Sequence, residues 1–556
     1  MYSCQNTMHP ELMQKSSFTK REKSMPIIRS IMSRAVRNAY RNGKEDETLP
    51  PLVLFDRKGR PVGRLKKGDA IIYYNIRGER EVELTQSLTD AGFDKFPAEN
   101  DLTLHFATMI EYQKGLRVHV AFPPESTIKD TLSEIIARHN LKQAKITESE
   151  KASHVGFFLN GKNTEVLPGE ERVIVPTRRD VILFDEAPEM SIYAVTEKAK
   201  EKIHDPSYHF IFINFPNVDV VGHIENEEAI VRAVEAVDAC MGNIIAEARE
   251  EGMIAIVSSD HGTVEKWLYP DGTIDTGHTD SHVPFILVHS NHDISLREEG
   301  ELADIAPTVL DLMGIPQSPY MTGSSLIKNA SRRRIDPPGG KNQRVLLLIL
   351  DGWGENKSSE GNLIARANTP AMDRLKKMYP HTLLAAAGEA VGLSEGTVGN
   401  SEAGHLHIGS GRRVPSDKVR IDQAIADASF FHNEAFLHVI RNAKETGNAL
   451  HLTGIVSFFS SHGSVNHLLA LMDLAKQEEI RDVFIHAMLG RRGEMLESGA
   501  KYIEMVEQKC RALNLGKVVS VIGRYWSMDR EENWSRIEKA YRMLVYGEGT
   551  PVTERS

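Results

Sequence analysis

The residues best suited to chemistry are acids and histidines that stand directly after short apolar runs. Asp351 ends VLLLILDGWG, and Asp219 and His223 follow FIFINFPNVDVVGH. Asp260 and His261 end IAIVSSDHG, and His278 lies in DTGHTDSH just ahead of PFILV. A single acid after a strand is most often a turn or helix cap, and a lone histidine is most often structural. Six such residues arriving together at strand ends point instead to a metal centre. Mixed carboxylate and imidazole donors suit Mn²⁺, with Zn²⁺ or Co²⁺ as alternatives, better than Ca²⁺ or Mg²⁺, which prefer all-oxygen shells. Six donors suffice for two divalent ions, a common arrangement for clamping a transferring phosphoryl group. No organic cofactor is expected.

A nucleophile should stand nearby, and Ser401 in EGTVGNSEAGHLHIGSGR is the candidate. Its flanking glycines let backbone approach a phosphate, and a following helix would aim its positive end there. Metal coordination can lower a hydroxyl pKa enough to make an alkoxide. The plainer alternative is a serine that caps a helix.

The elements that must position these groups read as a mostly parallel sheet covered by helices. Candidate strands are 210–214, Ile254–Ser258, 284–288 and Val345–Leu350, with helical patterns at 227–247 and 305–312. Open α/β sheets hold ligands beyond the carboxyl ends of their strands, where all six residues fall. The flanks supply further strands at 69–75, 449–455, 482–487 and 518–522, as parts of a second α/β domain made from both chain ends. The expected division is 1–125, 126–415 and 416–556. Turn-rich segments at 121–125 and 414–417 act as hinges, and SRRRIDPPGGK at 331–341 is a linker.

A chain of 556 residues is too long for one core, and 41% apolar with 26% charged residues is ordinary for a soluble protein. The net charge of −10 argues against a general nucleic-acid binder. No apolar run approaches the roughly 20 residues that span a bilayer. Cys4, Cys240 and Cys510 form no CxxC pair, which suggests a reducing compartment and a cytoplasmic protein. The first forty-odd residues are basic, but Ile27, Ile28, Ile31, Met32, Val36 and Tyr40 recur at helical spacing and read as a packed amphipathic helix rather than a targeting segment.

ILDGWG, GNSEAGHLHIGSGR, NFPNVDVVGH and SSDHG resemble the motifs of cofactor-independent phosphoglycerate mutase, of the alkaline phosphatase superfamily. The resemblance extends over almost all of the chain beyond about residue 45. It implies one Mn²⁺ held by Asp219, His223 and His278, and a second held by Asp351, Asp260, His261 and the nucleophilic Ser401. Every metal position is of the family's residue type, and Thr263 stands where the family usually has Asn. Lys151 matches a family lysine beside the phosphoserine, and His462 a histidine that contacts substrate. Arg77 and Arg80 in YYNIRGER, with Arg524 and Arg530 in GRYWSMDR, match a clamp for the glycerate phosphate; Arg is suited to a bidentate grip on such groups. The implied partner is a small phosphorylated hydroxy acid, with no nucleic acid, no membrane and a monomeric chain. In the family the segment like 344–548 comes first and that like 45–330 last, so a circular permutation is expected here.

Two loops depart from the family. SDGGVHSH is here SFFSSHGS, which puts Phe458 in place of an acid and Ser464 in place of a histidine. LDGRD is here LGRRG, with Gly490 and Gly493 where aspartates stand; the second is thought to move protons on the glycerate hydroxyls. Glu494 could substitute if the loop shifts by one position. The matching arginine is Arg492, and under that shift either Arg491 or Arg492. A mutase interconverting 3- and 2-phosphoglycerate is the leading expectation, and a metal-dependent phosphatase or phosphotransferase on a related carboxylated phosphate is the alternative.

Overall fold

The computed structural model describes residues 30–99, 101–124, 128–269, 271–290, 294–328, 343–458, 460–490 and 497–553. The linker at 331–341 and Arg491, Arg492, Gly493 and Glu494 lie outside the described residues. The chain forms two compact units, one from Met1–Pro123 with Ala428–Ser556 and the other from Pro124–Asp427. Each is an α/β fold on a mostly parallel sheet. Among the described residues no helix is long and apolar enough to cross a membrane.

In the Pro124–Asp427 unit, eight strands stand in the order Glu299–Glu301, His381–Ala385, Val283–Val288, Ile254–Ser258, Val345–Leu350, Tyr208–Phe215, Lys142–Glu148 and Glu170–Val175. The last five are parallel, and Val345–Leu350 lies at the heart of the sheet between Ile254–Ser258 and Tyr208–Phe215. Its run VLLLIL is apolar at every position because both faces are covered. Leu346, Leu348 and Leu350 enter one core, and Val345, Leu347 and Ile349 enter the other. Helix Glu227–Glu250 covers the first face, with Ile230, Ala233, Val234, Val237, Met241 and Ile244 buried at helical spacing.

Val283–Val288 runs antiparallel to both neighbours. The segment leading into it therefore reaches the same edge as the carboxyl ends of the parallel strands, which brings His278 to the end where Asp260 and Asp351 emerge. His381–Ala385 is antiparallel to that strand in turn, so its carboxyl end also points to this edge, and the chain runs from there to Ser401.

Helix Ser401–Ser410 is fixed by close backbone contacts at its glycines. A methyl group at Gly404 would stand 2.6 Å from the Asp260 carbonyl oxygen, and one at Gly409 would stand 1.9 Å from the Leu159 carbonyl oxygen. The following helix, Asp417–Ala426, belongs to this unit too, whereas the sequence reading ended the domain at 415. Its entry is tied back by Ser416 N–H donating to Gly392 O at 2.7 Å and Lys418 donating to Ser394 at 3.1 Å.

The other unit orders its strands as Thr550–Val552, Leu52–Leu54, Lys517–Gly523, Val483–Leu489, Leu450–Ile455, Ala70–Tyr73, His105–Ile110 and His119–Phe122. All neighbours are parallel except Leu52–Leu54 against Lys517–Gly523. The segments bearing Arg77, His462, Gly490 and Arg524 leave four adjacent strands at one carboxyl edge.

Gly409→Ala tests how tightly the serine helix is held. Backbone cannot yield as a side chain can, so a loss of about 1–3 kcal/mol or more is expected in urea unfolding. Gly447→Ala, whose added methyl meets nothing within 4 Å, should lose less; its cost is confined to left-handed backbone strain.

Candidate metal centre

Each donor reaches the sheet edge from its own strand end. Asp351 directly follows Val345–Leu350, and Asp260 and His261 follow Ile254–Ser258 by one residue. Asp219 and His223 ride on and just beyond the short helix Asn217–Gly222 that follows Tyr208–Phe215. Lys151 ends the turn Ser149–Lys151 after Lys142–Glu148. Ser401 is the first residue of its helix, whose cap is Asn400, with its side chain accepting from Ala403 N–H at 2.9 Å. The capping role open to Ser401 thus falls to its neighbour, and the Ser401 hydroxyl is left to the site.

The groups converge on one buried volume. Lys151 Nζ donates to Asp219 Oδ2 at 2.7 Å, to Asp351 Oδ1 at 2.9 Å and to Ser401 Oγ at 2.6 Å. His261 Nε2 lies 3.0 Å from Ser401 Oγ and 3.4 Å from Asp351 Oδ1. His278 Nε2 and His223 Nε2 approach Asp219 Oδ1 at 3.1 and 3.4 Å, and they are 3.2 Å from each other. The Nδ1 atoms of the same three histidines face backbone carbonyls: His223 meets Thr276 O at 2.7 Å, His278 meets Gly399 O at 2.9 Å, and His261 meets Gly262 O at 3.1 Å. Nδ1–H donation to a carbonyl fixes the tautomer and turns the Nε2 lone pair inward, as in metal-bound histidines.

The donor set fits divalent cations. Asp219 Oδ1 and Asp260 Oδ2 are buried, yet neither accepts a well-directed hydrogen bond. An unsatisfied buried carboxylate oxygen facing several imidazoles calls for a positive charge between them. Three overlapping groups meet the need: Asp219 with His223 and His278, Asp219 with His261 and Asp351, and Asp260 with Asp351 and His405. Within each group the donor atoms lie within 4.8 Å of one another.

The electrostatics follow from three carboxylates in one dry pocket. Burial disfavours charge on His261, but Asp260, Asp351 and Asp219 hold its imidazolium up to about 10. Burial would likewise raise the Asp219 carboxyl, but Lys151, His223 and His278 hold it well below its usual range. Lys151 is desolvated too, and the charges of Asp351, Asp219 and Asp260 keep it protonated.

Three residues of this centre carried no signal strong enough to single out. His405 is fully buried, with Nδ1 3.3 Å from Asp260 Oδ2. Its spacing of four from Ser401 on one helix face was the available clue. Asn214 donates to Asp351 Oδ2 at 2.8 Å from inside an apolar strand. Glu265 accepts from Thr263 N–H at 2.9 Å and from the Thr279 hydroxyl, tying the His261 turn to the His278 segment. Thr263 itself stands 3.4 Å from His261 Nδ1.

In the other unit, Arg77 and Arg530 share Glu79, at 3.2 and 2.8 Å. Arg80 donates to Met528 O at 3.1 Å. His462 Nδ1 lies 3.3 Å from the buried Glu81, which also accepts from Asn75 at 2.7 Å. Arg524 opens the helix Arg524–Ser527 at the same sheet edge. Four of the five arginines and His462 thus gather at one carboxyl edge, and Arg492 is outside the described residues.

A cluster of buried carboxylates, imidazoles and a hydroxyl at the carboxyl edge of a mostly parallel sheet defines an α/β protein of the metal-binding kind. The chain belongs to the metalloenzyme superfamily, whose model matches residues 18–317. A second model, described as the BPG-independent PGAM N-terminus, matches residues 421–556. A 2,3-bisphosphoglycerate-independent phosphoglycerate mutase of Methanococcoides burtonii is 40% identical over 299 residues, covering 53% of this chain and 57% of that one. One of Clostridium botulinum strain Langeland is 42% identical over 292 residues, covering 52% and 56%. The chain thus spans little more than half the length of these curated relatives. A Leishmania mexicana phosphoglycerate mutase, solved at low cobalt concentration, aligns over 49% of this chain and 53% of its own at 28% identity, with a TM-score of 0.38, too low to support an argument.

Two divalent ions per chain are expected by equilibrium dialysis, and Mn²⁺ at about a hundred times its Kd should stabilise the protein by roughly 2.7 kcal/mol for each site it fills. Asp219→Asn should remove most of that gain. A cation can take His261 Nε2 only after its proton leaves, so affinity should weaken as pH is lowered below about 10.

Proposed function

We propose that this protein interconverts 3- and 2-phosphoglycerate through a phosphoserine at Ser401. The observation that carries the reading is the Ser401 hydroxyl itself. It opens a helix and is buried among Lys151, His261 and Asp351, each within 3.2 Å of its oxygen. No capping or packing duty explains that placement.

Asp219, His223 and His278 would hold one divalent ion, and Asp260, His261, Asp351 and Ser401 a second, with Mn²⁺ first in preference. When bound, the ions supply Lewis acidity and neutralise charge on the transferring phosphoryl group. The serine hydroxyl gives up its proton as its oxygen attacks phosphorus, the bond from phosphorus to the substrate oxygen breaks, and the released oxygen takes up a proton. In the return step the other hydroxyl of the glycerate loses its proton and attacks the phosphoserine, the bond from phosphorus to the serine oxygen breaks, and the serine oxygen takes up a proton. Lys151 orients the serine oxygen and offsets phosphate charge. The free amide N–H groups at the start of helix Ser401–Ser410 favour the same anion. Arg77, Arg80, Arg524, Arg530 and Arg492 are assigned to the carboxylate and phosphate of the substrate, and His462 to a contact with its hydroxyls.

The match of an amino-terminal family model to the last quarter of the chain supports a circular permutation of that family's order. The free thiols Cys240 and Cys510 support a reducing, cytoplasmic setting, and a monomer is the simplest state. A second reading keeps the metal centre and releases inorganic phosphate. It is favoured by Gly490 and Gly493, which leave the LGRRG loop without its carboxylates.

Phosphorus NMR of the enzyme with Mn²⁺ and 3-phosphoglycerate separates the two, since isomerisation and hydrolysis give different products. Isomerisation that is lost on chelation and restored by Mn²⁺ better than by Ca²⁺ is the expected result; steady release of inorganic phosphate alone would replace the mutase by the phosphatase. Ser401→Ala should abolish phosphate incorporation, read by intact mass after substrate exposure, while leaving the unfolding midpoint close to the parent's. Unchanged incorporation would move the nucleophile elsewhere.

A further inference from the structure

The imidazoles of the metal centre are anchored alike on one side and aimed differently on the other. His223, His261 and His278 each rest Nδ1 on a backbone carbonyl and turn Nε2 toward the carboxylates. His405, fully buried, also rests Nδ1 on a carbonyl, that of Ser401 at 2.9 Å. Its Nε2 faces the Asn214 amide nitrogen instead, at 3.2 Å.

The protons of this pair are set by their neighbours. Asn214 Oδ1 accepts from the Thr147 hydroxyl at 3.2 Å, and the amide nitrogen donates to Asp351 Oδ2 at 2.8 Å. The second hydrogen of that nitrogen is left for His405, so Nε2 must present its lone pair. Nδ1 faces two acceptors, Ser401 O and, at 3.3 Å, Asp260 Oδ2, and must carry the hydrogen. Neither nitrogen then has a lone pair to give a cation. The group of Asp260, Asp351 and His405 is therefore short of a donor, although its atoms are near enough to one another.

The same contacts close a ring. It runs from the Ser401 carbonyl through His405 at 2.9 Å and Asn214 at 3.2 Å to Asp351 Oδ2 at 2.8 Å. From Asp351 Oδ1 it returns to the Ser401 hydroxyl at 3.2 Å. Every member is at most 5% exposed. A serine hydroxyl has three staggered rotamers open to it. A ring that ends on both oxygens of Ser401 selects the one that faces Asp351.

We propose that His405 is a positioning residue for the Ser401 nucleophile and a ligand of neither ion, so that the centre holds two cations rather than three. The assignment rests on the reading of Ser401 as the nucleophile.

The test uses two variants. His405→Gln keeps an acceptor for Asn214 and loses the bond to the Ser401 carbonyl; His405→Asn keeps a donor for that carbonyl and loses Asn214. Each opens the ring at a different link, so a fold defect in one, seen by thermal melting, leaves the other to be read. Equilibrium dialysis counts bound Co²⁺, and its visible spectrum reports its ligands. Single-turnover mass spectrometry with 3-phosphoglycerate and Mn²⁺ gives the rate of phosphoserine formation and the half-saturating substrate concentration. Both variants should bind two Co²⁺ with the parent's spectrum. They should form phosphoserine about 10–100-fold more slowly, the usual cost of losing such a supporting contact, at an unchanged half-saturating concentration. A lost ion or a shifted spectrum would make His405 a ligand and overturn the assignment. Phosphoserine formation at the parent's rate would overturn it too, as would a loss seen only in half-saturation. A parent that never forms phosphoserine would overturn the nucleophile reading and this role with it, a failure visible in the parent's own trace before any variant is read.

Discussion

Three carboxylates, Asp219, Asp260 and Asp351, are buried around one imidazole, at 3.6, 3.7 and 3.4 Å from His261 Nε2. Like charges in a low-dielectric volume repel strongly, and each also gives up its hydration. The cluster persists only if positive charge is brought to it. Lys151 and the His261 imidazolium supply part, and two carboxylate oxygens still lack a hydrogen-bond donor. Much of the surrounding architecture serves that requirement: the parallel strands deliver the acids, the reversed strand Val283–Val288 delivers His278, and backbone carbonyls turn three imidazoles inward. A cation bound there would for that reason add to the stability of this unit.

Much of this was legible in the sequence because the signals were one-dimensional. An acid directly after an apolar run is at a strand's end, and in a parallel sheet such ends share one edge; Asp351 and Asp260 needed no more than that. The parallel core was readable from VLLLIL, where every position is apolar, as a strand covered on both faces must be. His405 and Asn214 were not readable in this way. Their roles depend on which strand lies beside which, and adjacency of Val345–Leu350 to Tyr208–Phe215 has no local signature. Glu265 was hidden for a similar reason: its partners, Thr263 and Thr279, meet only once the sheet has formed.

The limits in the second unit are of another kind. The segment from Asp46 to Leu49 has no periodicity and reads as an ordinary polar turn. Its position shows in the glycines it packs on: Gly490, Gly499 and Gly523 are all small because backbone or side-chain atoms of 46–49 stand within 2.3–2.6 Å of where a Cβ would be. Glycine in a loop commonly signals a turn, but here it also signals contact with a distant stretch of chain.

The position of Val345–Leu350 has a consequence for how the molecule is made. This strand is central in its sheet, yet it leaves the ribosome after both of its neighbours, Tyr208–Phe215 and Ile254–Ser258. Until it arrives, those two strands must wait with a gap one strand wide, their inner edges unpaired and their apolar side chains uncovered. Unpaired strand edges recruit other strands, including those of neighbouring nascent chains. At elongation rates of about 5–20 residues per second, the ninety-odd residues between Ser258 and Leu350 hold that slot open for roughly five to twenty seconds. Synthesis rate and chaperone cover over that stretch thus bear on the yield of folded protein, independently of how stable the finished sheet is.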